Sequence, residues 1–127
     1  MIISTIGSTS RTLGDGEEIR WRSLARRGML HCECESFDHV RLAPGTEFAL
    51  RGQEGTESVW FTVSGSGRLL GVDASPAGRV LGVGELVLLP AGQECRLAGG
   101  DSGLELLWLT VMPREVSQSL PNRKPVA

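Results

Sequence analysis

Pro44-Gly45-Thr46-Glu47-Phe48-Ala49-Leu50-Arg51-Gly52-Gln53 is the stretch from which the rest of the chain is read. Pro44-Gly45 is a turn pair, and the apolar and polar residues after it alternate as in a half-buried strand. Five residues after Gly45 comes Arg51-x-Gln53, four more lead to Ser58 beside Glu57, and six more to Gly65. A second frame of the same kind follows: Gly84, five residues, Pro90-x-Gly92, two residues, Cys95, three residues, Gly99. Each frame reads as strands punctuated by turns that only Gly and Pro accommodate well.

Outward from these frames the pattern remains period two. Ile19, Trp21 and Ser23 alternate with Arg20 and Arg22, and Val40 and Leu42 alternate with His39 and Arg41, as in strands with one buried face. Further strands are expected at Met29 to Glu35, Glu47 to Arg51, Ser58 to Ser64, Arg68 to Val72, Glu85 to Leu89, Glu94 to Ala98 and Leu104 to Met112. No segment has a long helical repeat of apolar positions, so the chain is expected to be all-β, a sandwich or barrel of short strands. A length of 127 residues suits one domain. The polar, loosely patterned ends, 1–16 and 114–127, are expected to be flexible arms.

Composition narrows the function classes. The net charge is −2 and the arginines are scattered, so no electrostatic footprint for nucleic acid is present. Met1-Ile2-Ile3 has no basic segment before it and gives way to Ser4, so neither a signal peptide nor a membrane span is expected. Three cysteines, an odd number with Cys32 and Cys34 two apart, argue for reduced thiols in a cytoplasm. One lysine, one asparagine and no tyrosine, with many arginines and glycines, fit a GC-rich and hence bacterial genome.

The two glycine frames resemble the paired motifs of the cupin superfamily, over roughly Val40 to Pro113. The resemblance implies a cupin-type double-stranded β-helix, a jelly-roll barrel forming a single domain. It also implies a metal site, but the positions that would carry the metal-binding imidazoles and carboxylate are occupied by Arg51, Gln53, Ser58 and Cys95. A guanidinium has no lone pair to give, Gln and Ser are weak neutral ligands, and one thiolate does not make a site. No metal and no other cofactor is therefore expected. A cluster of His31, Cys32, Cys34 and Cys95 is the alternative metal site. It lacks the second cysteine pair of a zinc motif, and buried thiols are the commoner outcome.

Strand parity selects the side chains of the cup. Val40 and Leu42 carry Asp38 inward with them, and counting back from Gly65 turns Ser58, Trp60 and Thr62 inward while Glu57 points out. In the last strand Leu106, Trp108, Thr110 and Met112 share one face, and Leu107, Leu109 and Val111 the other. Both faces are apolar, which calls for a second cover and hence a homodimer, with Trp21 on an edge-like strand adding to the interface. His31 and His39 are expected on the outer surface. Cys95 is expected to be buried and inert.

Inside the cup, Asp38, Arg51, Gln53, Ser58 and Cys95 would bind a small oxygen-rich molecule between Trp60, Trp108, Thr110 and Met112. Asp38, or Glu57 if a bulge shifts the register, would move a proton, and Arg51 would face Asp38 and hold an oxygen. The expected function is a metal-independent acid–base enzyme acting by isomerisation, dehydration or cyclisation, as in bacterial metabolic or natural-product biosynthesis. A non-catalytic ligand-binding cupin and a structural scaffold are the alternatives, and fold alone does not choose among them.

Overall fold

The computed structural model describes residue 3 and residues 10–14, 17–27, 29, 33–51, 56–71 and 78–119, without the side chains of 10–14, 50, 51 and 117. In chain order the elements are β1 (Ser10–Gly14), β2 (Glu17–Arg26), β3 (Cys34–Leu42), β4 (Glu47–Arg51), β5 (Glu57–Leu70), β6 (Arg79–Leu81), β7 (Leu86–Leu89), β8 (Glu94–Val111) and a short helix α1 (Arg114–Ser119). Every strand pairing among the described residues is antiparallel, and together they form one hydrogen-bonded network.

Two long strands organise that network. The first half of β5 and the second half of β8 pair with each other at Ser58↔Thr110 through Gly65↔Leu104, and β3 and β7 flank them. Their other halves pair at Gly67↔Gly99 through Leu70↔Arg96, flanked by β4 and β6. Each strand thus belongs to two layers. Phe48 of β4 lies with its ring 6.4 Å from Trp108 and 5.7 Å from Trp21, so the layers face one another across a common core, as in a jelly roll.

Glycine makes the passage between layers possible. A Cβ on Gly65, whose φ is +78°, would lie 2.2 Å from the carbonyl oxygen of Gly103, so no side chain fits where the strands bend past each other. The frame glycines of the sequence, Gly45, Gly65, Gly84 and Gly92, all have positive φ. Their spacing is therefore a record of turn geometry. The core behind them contains Leu97 and Leu106 at 0 % exposure and Val40, Trp60 and Leu81 at 1 %, and each such side chain contributes about 1.5–3 kcal/mol by leaving water.

Several expectations are corrected. The strands expected at Ser58–Ser64 and from Arg68 are one, β5, which ends at Leu70, with Val72 outside the described residues, and those expected at Glu94–Ala98 and Leu104–Met112 are one, β8, which ends at Val111. The glycines between them bend the strands without ending them. Strand β6 lies where none was expected. The strand expected from Met29 begins at Cys34, and 30–32, including His31 and Cys32, lie outside the described residues. Of the two expected arms, Ser10–Gly14 pairs with β2 as β1, and Arg114–Ser119 is helical. Because β1 covers it, β2 is not an edge strand.

Candidate functional site

One row of inward side chains crosses the first layer. Its register runs Ser23↔Asp38 between β2 and β3, Asp38↔Trp108 to β8, Trp108↔Trp60 to β5 and Trp60↔Val87 to β7. Alternation places this row on the side of Val40, Leu106 and Thr62, all 1 % exposed or less. Asp38 is 5 % exposed, Trp60 1 % and Trp108 6 %. Parity read from the sequence had selected these three.

Aromatic rings close over the row. The Trp60 and Trp108 rings are 4.9 Å apart, and those of Trp21 and Trp108 5.1 Å. Strands β2 and β8 are not neighbours, since β3 runs between them, and adjacent strands are about 4.8 Å apart. The two indoles must therefore lean towards each other over β3, above Asp38 and Val40. Trp21 is accordingly part of the cup lining and not of an outer interface, which corrects the sequence expectation. Trp21 and Phe48 are only half-buried, and on their side the cluster meets solvent.

Two polar atoms in this row are buried without a hydrogen-bond partner: Asp38 Oδ1 and Trp60 Nε1. An orphaned buried donor or acceptor costs about 1–3 kcal/mol, so native proteins keep few of them. Here an acceptor and a donor lie two strands apart on one face with Trp108 between them. That arrangement suits a ligand that supplies the complementary donor and acceptor.

The other expected site residues fall into groups. Ser58 is buried in β5 opposite Thr110 and Leu89, and Thr110 is half-buried. Met112 is 4 % exposed, its amide bonded to the Glu33 carbonyl at 2.9 Å. Glu57 is exposed at the start of β5, with no bulge to turn it inward. Cys95 is buried in the second layer, paired with Leu50. Arg51 ends β4 in register with Glu94, at the parity of the exposed Glu47 and Ala49. Its side chain and all of Gln53 lie outside the described residues.

The metal implied by a cupin fold does not fit these residues. Cys95 brings a single thiol, which burial pushes up from an ordinary 9.0 to about 11, and one thiol does not make a site. The Ser58 hydroxyl is a weak neutral donor. Among the described residues, no three His, Cys, Asp or Glu side chains converge.

On the outer face, His39 is 3 % exposed, contrary to the surface position expected for it. It sits mid-sheet between Arg22 and Leu107, and its Nε2 lies 3.6 Å from Glu105 Oε1, whose carboxylate is held by Arg41 at 2.6 Å. Beyond it, Leu107, Phe61 and Leu86 continue the same row, and Leu109, Val59 and Leu88 the next. Leu86, Leu88, Phe61 and Val63 are exposed.

Comparison with known proteins supports the fold. No family model matches the sequence, and no curated protein matches it. Among solved structures, a predicted oxalate decarboxylase from Thermotoga maritima superposes with a TM-score of 0.72 at 17 % identity, over 88 % of this chain and 99 % of that one. The Cupin_2 domain of an XRE family transcriptional regulator from Enterobacter cloacae gives 0.64 at 16 %, over 76 % and 98 %. A Cupin 2 conserved barrel domain protein from Salinispora arenicola gives 0.59 at 18 %, over 79 % and 81 %. The chain has the fold of a cupin barrel, all-β and of jelly-roll type. Among its described residues no helix is long and apolar enough to cross a membrane.

Proposed function

We propose that the chain is a cupin enzyme that binds a small metabolite in the cup and performs acid–base chemistry on it without a metal ion. The observation that carries this reading is the pair of orphaned buried atoms, Asp38 Oδ1 and Trp60 Nε1, on one inward row. Asp38 Oδ1 takes a proton from the ligand. The Trp60 Nε1–H donates a hydrogen bond to the oxygen on which charge develops. Asp38 then returns the proton at the neighbouring position, which amounts to an isomerisation, or delivers it to a leaving group, which amounts to an elimination. In either case the carboxyl group ends as it began.

Ser58 and Thr110, opposite each other at the end of the cup, offer hydroxyls to orient ligand oxygens. The unbridged, buried Cys95 supports a reducing compartment, which on this reading is the cytoplasm. The apolar rows of the outer face suit a second copy of the chain, so the working form is a homodimer. The test is a thermal-shift screen of a metabolite panel, followed by turnover of every hit with wild type and Asp38→Asn. Loss of turnover by about a hundredfold or more, with binding retained, supports an enzyme. Binding without turnover in either protein leaves a ligand-binding cupin, and no hit leaves a scaffold.

A further inference from the structure

Resting on the proposal that the cup is a ligand site, we infer that its ligand is a small organic cation, bearing an amine, quaternary ammonium or similar positively charged nitrogen. The charge balance of the inward face is the first ground. Asp38 is buried there at 5 % exposure, and its described inward neighbours Ser23, Ser58, Thr62, Thr110 and Cys95 are all neutral. Most described arginines of the strands lie on the other side: Arg20, Arg41 and Arg96 are exposed and already joined to Glu18, Glu105 and Glu47, and Arg22 and Arg68 are exposed there too. Arg26, in register with Ser36, and Arg79, in register with Leu69, have the inward parity but are exposed. A buried carboxylate is kept only where something pays for its desolvation. No described arginine is paired with Asp38, and the ligand supplies the cation.

The second ground is independent of charge counting. All three tryptophans of the chain and Phe48 form one cluster, with ring centroids between 4.9 and 6.4 Å apart, and its central ring, Trp108, stands opposite Asp38 in the sheet. Aromatic faces carry negative quadrupole charge and attract cations, indole most strongly, and rings grouped beside a carboxylate recognise ammonium groups. Two of the rings, Trp21 and Phe48, reach solvent and line the way in. An anionic ligand would meet a carboxylate and four electron-rich faces. The charge also serves the chemistry, because a positive nitrogen acidifies the C–H beside it, next to the carboxylate that removes the proton.

The experiment uses the intact chain and four probes: choline, putrescine, the neutral choline isostere 3,3-dimethylbutan-1-ol, and acetate. Tryptophan fluorescence is titrated with each, and the indole Nε1–H signals are followed by NMR. Saturable quenching by choline or putrescine is expected, with movement of the Trp108 and Trp21 signals and at least tenfold weaker binding of the neutral isostere. Asp38→Asn, which keeps the side-chain shape, should weaken cation binding tenfold or more, and Trp108→Phe should weaken it less. Equal binding of the neutral isostere or of acetate would overturn the inference while leaving the cup a ligand site. Silence of all four probes, in a protein whose metabolite screen gives hits that move the same signals, would overturn the cation class alone. Silence in both would overturn the cup itself.

Discussion

Raising the pH should unfold this protein through one thiol. Cys95 is 4 % exposed, and burial lifts its pKa from 9.0 to about 11. The folded pKa is above the unfolded one, so the folded state holds the proton more tightly. The contribution of Cys95 is therefore complete below pH 9 and is lost as pH rises towards 11. Two units correspond to about 2.7 kcal/mol in full, and about 2 kcal/mol is lost by pH 11 itself. The chain has no tyrosine and one lysine, and its other two thiols, Cys32 and Cys34, are present in wild type and in Cys95→Ala alike, so the comparison isolates Cys95. Urea unfolding from pH 7.5 to 10.5 should give a falling midpoint for wild type. Cys95→Ala should start lower, from the lost packing, and run clearly flatter. At pH 8 the thiolate fraction alone makes Cys95 about a hundredfold slower towards iodoacetamide than an ordinary thiol of pKa 9.0. A Cys95→Ala slope as steep as wild type, or rapid alkylation of the folded protein at Cys95, would refute the burial argument. Either result would also reopen thiolate chemistry in the cup.

Other outcomes follow from the same geometry. Asp38→Asn should raise the melting temperature of the ligand-free protein, since it exchanges a carboxylate at 5 % exposure for a neutral amide of the same shape, whose burial costs less than that of a charge; a fall in differential scanning calorimetry would mean that the carboxylate has a stabilising partner. Gly65→Ala combines a φ of +78° with a 2.2 Å clash against Gly103 and should cost about 2–4 kcal/mol by chemical denaturation; a cost below about 1 kcal/mol would argue against the bend described for β5. Light scattering should give a dimer mass for wild type, and Leu88→Glu, at a position 68 % exposed in the chain alone, should shift it towards monomer with the fold retained by circular dichroism.

Much of the fold was legible because its turns are chemically costly for anything but glycine. The frame residues Gly45, Gly65, Gly84 and Gly92 adopt positive φ, whereas Gly99 does not, so the spacing of the four encodes where the chain turns or bends. Asp38, Trp60 and Trp108 were legible through two-residue parity, which survives wherever one face is buried. The continuity of β5 and β8 was not. A glycine that bends a strand and one that ends it look alike in sequence, and only the facing Gly103 backbone decides. The pairing of Trp21 with Trp108 depends on rings reaching across an intervening strand, which no local pattern records. His39 was misread because exposure on an outer face depends on the reach of its neighbours. For Arg51 the motif frame pointed inward, and its side chain lies outside the described residues. Motif spacing counts residues along the chain and does not fix which face of the strand each one takes.

The claim that the Asp38–Trp108–Trp60 row is a ligand site is tested most directly at the three indole N–H groups. In a 15N–1H correlation spectrum, assigned by single Trp→Phe substitutions, a ligand taken from the thermal-shift screen should move the Trp60 Nε1–H signal downfield as the orphaned donor gains an acceptor. The signals of Trp21 and Trp108 should move with it, at one common affinity, and Asp38→Asn should weaken all three together. Shifts confined to outer-face amides, with the Trp60 signal unmoved at saturation, would contradict the account.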